Sequence, residues 1–122
     1  MPSPTVPSTV TFLPTATGQT VTLGPDTTAG IKDVAIDTTN LPAGALITIS
    51  TQKLMVSGGS YVETDSSISI SPAVAAPAAP GAGYQPITHT EPEMSPYGYQ
   101  AIVTFVSGTL PTTGLVINLE SV

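Results

Sequence analysis

The chain has no cysteine, no arginine and no tryptophan in 122 residues, and only two lysines, Lys32 and Lys53. Without cysteine there is no disulfide and no thiolate metal site. Two isolated lysines cannot supply the several cationic contacts that a phosphate backbone needs, so DNA and RNA are excluded as partners. Anionic membrane surfaces are excluded on the same ground. Charged residues are 8% of the chain, against about 25% in an average soluble domain. No acid, lysine or arginine occurs in Met1–Pro25, Ser66–Thr90 or Met94–Leu119. Seven of the ten charged residues lie between Asp26 and Asp65, with Glu91, Glu93 and Glu120 outside that stretch, and the formal net charge is -6.

Long apolar runs are also missing. No stretch approaches the ~18 apolar residues of a membrane-spanning helix. The N-terminus, Met1-Pro-Ser-Pro-Thr-Val-Pro7, has neither a basic region nor an apolar run, and does not read as a secretory leader. A surface-like composition without an export signal fits synthesis in a host cytoplasm followed by display outside, as happens to virion proteins. The alternative is an exported chain whose leader has been removed.

Helix is disfavoured throughout. The most helix-prone composition, Ala73–Ala82, is flanked or broken by Pro72, Pro77 and Pro80, and proline in a helix interior costs about 3 kcal/mol. What remains is rich in period-two alternation of β-branched residues, the pattern of half-buried strands. Val10–Phe12, Thr20–Leu23, Lys32–Asp37, Ala45–Thr51, Ser67–Ser71 and Leu115–Glu120 all alternate. Val34 and Ile36 are expected inward and Asp33 and Asp37 outward. Ala101–Val106 is apolar on both faces and predicts a central strand. Ser57-Gly-Gly-Ser60 predicts a two-residue hairpin turn that pairs Val56 with Tyr61 and Leu54 with Glu63. Gly24-Pro25-Asp26, Leu41–Gly44 and Leu110–Gly114 read as turns.

The fold class expected is all-β: one antiparallel β-sandwich or jelly roll of about seven or eight short strands over residues 9–122. Residues 1–8 are expected as an extended arm and 72–96 as a long irregular Pro/Ala-rich loop. The loop is too apolar for a solvated linker, so it is expected to lie against a surface.

Candidate sites are few. His89, Glu91 and Glu93 share one side of an extended chain, but successive side chains lie about 6–7 Å apart, too far to converge on one ion without curling. Asp33 and Asp37 are roughly 13 Å apart along a strand, and they read as solvent-facing charges that block sheet stacking. No metal and no cofactor is therefore expected. Catalysis lacks its parts: His89 is the only imidazole, and there is no nucleophile elbow, phosphate loop or thiol. Glu91 and Glu93 as a glycosidase pair lack an aromatic sugar platform apart from tyrosines. The chain reads as a non-enzyme. Tyr84, Tyr97 and Tyr99 cluster around the long loop, where a ring with a polar tip suits anchoring, a subunit contact or sugar stacking.

The uncharged arm Pro2-Ser-Pro-Thr-Val-Pro7, the strand series, the Ala/Pro segment and the absence of a leader together resemble the small capsid decoration, or cement, proteins of tailed bacteriophages. The resemblance implies a β-rich homo-oligomer, with a trimer favoured. It would sit on the virion exterior and staple neighbouring subunits of the major capsid protein. Contacts are then expected from Met1–Leu13 and Pro72–Pro96, through Pro2, Pro4, Val6, Phe12, Pro77, Pro80, Tyr84, Tyr97 and Tyr99. Proline pre-orders such an arm, which lowers the entropy lost on docking. Two other classes fit the residues. One is a carbohydrate-binding or adhesion module. The other is a filament or appendage subunit whose arm completes a neighbour's sandwich.

Overall fold

A computed structural model describes residues 4–71 and 87–122. Among these residues there are ten strands and no helix, so no helix is long and apolar enough to cross a membrane. The strands are β1 (Thr5–Phe12), β2 (Thr20–Asp26), β3 (Gly30–Asp37), β4 (Leu46–Leu54), β5 (Tyr61–Glu63), β6 (Ile68–Ile70), β7 (Ile87–His89), β8 (Glu93–Ser95), β9 (Tyr99–Ser107) and β10 (Leu115–Ser121). They form two antiparallel sheets. The first has the order β1-β10-β3-β7, and β8 pairs with the other end of β3. The second has the order β2-β9-β4-β5, and β6 also pairs with β4.

The alternating residues meet between the sheets. Val34 and Ile36 of β3 and Leu115, Ile117 and Leu119 of β10 pack against Ile47 and Ile49 of β4 and Ala101, Val103 and Phe105 of β9. All are fully buried, as period-two burial of one face requires. β9 lies between β2 and β4, the central place its two apolar faces predicted.

Four local readings change. Thr5–Ser8 are not an arm, because β1 begins at Thr5, which lies opposite Ser121 of β10. Period-two alternation is hidden there by Pro7 and by a register shift between Thr5 and Ser8. The 72–96 segment is not irregular to its end. Ile87–His89 and Glu93–Ser95 are strands that together cover most of one edge of β3. Three residues are too short to show a period, and it is the neighbouring strand that makes them extended.

The hairpin register is shifted by two residues: Leu54, not Val56, lies opposite Tyr61. Gly59 donates to the Val56 carbonyl at 3.1 Å, so the turn centres on Ser57–Gly58, and Gly58 takes the positive φ of 73°. Finally, Gly24-Pro25-Asp26 is a bulge inside β2, where the register with β9 shifts between Leu23 and Asp26. Gly24 has φ 89°, and a Cβ there would lie 3.1 Å from the Tyr99 carbonyl oxygen.

Candidate functional site

The charged residues separate by face of the first sheet. Along β3, Lys32, Val34 and Ile36 point into the sandwich, while Asp33 and Asp37 are only half-buried on the outside. Lys32 is 0% exposed. Its ammonium donates to Asp26 Oδ2 at 2.6 Å, Ser121 Oγ at 2.7 Å and Thr28 Oγ1 at 3.2 Å, which uses all three of its protons. Asp26 belongs to β2, so this pair ties the two sheets together. Burial works to raise the Asp26 pKa, but hydrogen bonds from Lys32 and Thr28 outweigh it and hold the carboxyl below its ordinary value.

The other lysine makes a second tie. Lys53 of β4 donates to Glu93 Oε1 of β8 at 2.7 Å, and Ser66 Oγ donates to Glu93 Oε2 at 3.1 Å. The Lys53 hydrogen bond is the main cause of a lowered Glu93 pKa; burial opposes it. Both lysines thus act inside the molecule.

On the outer side of the same sheet, Glu120 of β10 lies directly opposite Asp33 of β3. His89 of β7 lies opposite Ala35, two residues further along β3. One ligand atom from each of Asp33, His89 and Glu120 falls within 4.8 Å of the others. His89 Nε2 is 3.5 Å from Glu120 Oε1. The Asp33 pKa is pushed up to about 6, first by burial, then by the charge of Glu120 and a hydrogen bond with it, with His89 opposing. A carboxyl–carboxyl hydrogen bond requires a proton on one partner, so this pair holds a proton more tightly than an isolated carboxylate would.

The sequence grouping His89–Glu91–Glu93 therefore disperses. His89 meets Asp33 and Glu120, Glu93 turns inward to Lys53, and Glu91 is exposed. Asp37 does not join the cluster; its Oδ1 accepts from the Thr39 amide at 2.9 Å and caps the turn after β3. Glu120 was missed by sequence reasoning. Alternation in β10 marks it as outward, but nothing local shows that β10 lies beside β3.

The expected contact residues also separate. Pro4 is exposed, Val6 is 49% exposed and Tyr97 43%. Phe12 is 4% exposed and packs in the core opposite Leu115, so it cannot present a ring to a partner. Tyr99 is 0% exposed. It continues the inward row of Ala101, Val103 and Phe105, and burial pushes its pKa up to about 12 against the nearby Thr90 and Thr51 hydroxyls. It is an anchor and neither a subunit contact nor a sugar platform. Pro2, Pro77, Pro80 and Tyr84 lie outside the described residues.

Apolar side chains flank the carboxylate–imidazole cluster. Val6, Ile31 and Val122 line a groove of about 340 Å³ with Asp33 and Glu120. Ile87 and Val116 line a second, of about 310 Å³, with His89 and Glu120. Met94 lies opposite Ile31 across the β3–β8 pair and is 70% exposed. No protein-family model matches the chain, and comparisons with curated proteins and with solved structures find no match.

Proposed function

We propose that this chain works by protein–protein contact, as a virion structural protein that decorates and cements a shell of major capsid protein from outside. The observation that carries the reading is the outer face of the first sheet. Val6, Ile31, Met94, Val122, Ile87 and Val116 stay exposed there, although the sandwich already has a filled interior. They form two apolar groups on either side of the Asp33–His89–Glu120 cluster, and exposed apolar surface rimmed by polar residues is the pattern of an interaction site. The same face carries Asp33, His89 and Glu120, so a partner covering it must offer polar or cationic groups to them as well as apolar ones. A homo-oligomer, with a trimer favoured, would multiply each contact on a repeating lattice. The jelly-roll form of the sandwich belongs to the same proposal.

Two supports for the alternative readings weaken. The segment from Thr5 is hydrogen-bonded into the chain's own sheet, so it is not free to complete a neighbour's sandwich, and it equally leaves the decoration reading without a docking arm over Thr5–Phe12. The inward Tyr99 leaves Tyr97 as the one exposed ring of the Tyr97–Tyr99 pair.

The test is co-sedimentation with empty shells of the major capsid protein encoded in the same genome. The wild-type chain is expected to saturate the shells. Val6→Glu with Ile31→Glu is expected to abolish binding while the far-UV circular dichroism and Tm of the free protein stay near wild type. Failure of the wild type to bind, or full binding by the double variant, overturns the proposal.

A further inference from the structure

We propose that Asp33, His89 and Glu120 bind one divalent transition-metal cation of the zinc class on the outer face of the first sheet. This inference stands apart from the contact role and does not rest on it.

The three side chains come from three adjacent strands, β3, β7 and β10, so their backbones are held by sheet hydrogen bonds. Zinc–nitrogen and zinc–oxygen bonds of about 2.0–2.2 Å place neighbouring ligand atoms of a tetrahedron about 3.3–3.5 Å apart. The His89 and Glu120 atoms already stand at 3.5 Å. All three ligand atoms lie within 4.8 Å of one another. The strand register itself brings the three side chains together.

The charge balance points the same way. Two carboxylates sit directly opposite on neighbouring strands, an arrangement that is unfavourable when both are charged. The chain has no arginine and two lysines. Lys32 is committed to Asp26 and Lys53 to Glu93. His89 is thus the only cation-forming side chain left for Asp33 and Glu120. A dication held by all three brings twice the charge that a protonated His89 can set against that repulsion.

Ligand chemistry selects the ion. An imidazole with two carboxylates suits zinc, copper, nickel or cobalt, whereas magnesium and calcium prefer all-oxygen sites. Three protein ligands leave at least one coordination position. The grooves on either side of Glu120 leave that position to water or to a side chain of a docked partner.

The experiment uses the full chain without a histidine tag, stripped with chelator and titrated with zinc chloride at pH 7 by calorimetry. Bound metal is then counted by mass spectrometry after gel filtration. One zinc per chain is expected, with saturation in the micromolar range. His89→Ala, Asp33→Asn and Glu120→Gln should each weaken binding at least about tenfold. Asp37→Asn, on the same face but outside the cluster, should bind as wild type. Zinc should raise the Tm of the wild type and leave that of His89→Ala unchanged. Glu120→Gln nearly preserves shape, so it keeps the test valid if another variant misfolds. Absence of saturable binding, binding as tight as wild type by the cluster variants, or tighter binding of calcium than of zinc overturns the proposal.

Discussion

One rung of the first sheet shows two opposite treatments of charge. Lys32 and Asp33 are neighbours on β3, and Ser121 and Glu120 are neighbours on β10. On the inner side Lys32 meets Ser121 and Asp26, and every proton of the ammonium is used. On the outer side Asp33 meets Glu120, and two like-charged groups face each other with a single imidazole nearby. The inner group is complete and reads as structure. The outer group has two carboxylates to one imidazole, and it is the group proposed above to take a metal ion. Burial alone does not separate them; the presence of matched partners does.

The contrast can be broken most strongly from inside. Lys32→Met leaves the Asp26 carboxylate, only 9% exposed, without its counter-ion. Removing one partner of such a buried pair costs about 3–5 kcal/mol, and the loss should appear as a lower urea midpoint by circular dichroism. Lys32→Met combined with Asp26→Asn should recover much of it, because no charge is then left unpaired. A single variant as stable as wild type would mean that the clamp is not what joins the sheets.

The second tie is weaker. Lys53 and Glu93 are each about a fifth exposed, and Ser66 also holds Glu93. Lys53→Met should cost about 1 kcal/mol, near the upper end for a partly solvated pair. A loss as large as that of Lys32→Met would remove the distinction drawn between buried and half-exposed ties.

The smallest effect is expected on the outer side, with the opposite sign. In metal-free protein Asp33→Asn should stabilise the fold at pH 7 by about 0.5–1 kcal/mol, the size of a cross-strand charge term. The pH dependence follows from the raised Asp33 value. The folded chain binds this proton up to about pH 6, whereas the ordinary value is 3.8. Stability from this group is therefore full below about pH 4, falls as pH rises to about 6, and is level above that. The facing groups are Glu120 on β10 and His89 on β7, with Asp37 further along β3. Asp33→Asn should flatten this decline in Tm measured between pH 4.5 and 7. Asp26 and Glu93 have the reverse sign. Their lowered values give stability that is present above the ordinary carboxylate range and lost as pH falls through the folded values, in wild type and variant alike. An unchanged decline in Asp33→Asn would show that the outer pair carries no repulsion.

Much of the fold was legible. Rows such as Leu115–Ile117–Leu119 and Val34–Ile36 announce their inner face, because burying one side of a pleated strand imposes period two. The dual apolar faces of β9 announced its central position. The short strands β7 and β8 were not legible, since three residues between prolines carry no period. The hairpin register failed because two adjacent glycines allow the turn to centre one residue earlier. The burial of Tyr99 and Phe12 is not legible in the sequence, because an aromatic beside a loop looks the same whether its ring turns in or out.

The amino-acid sequence by itself determined an all-β chain with almost no charge to spend on chemistry, since strand alternation and composition are local properties. Tertiary structure alone decided where that little charge acts. Asp33, His89 and Glu120 are far apart along the chain and become neighbours only when β3 is laid between β10 and β7. Lys32, one residue from Asp33, is turned inward by the pleat, which places its charge where it cannot balance theirs.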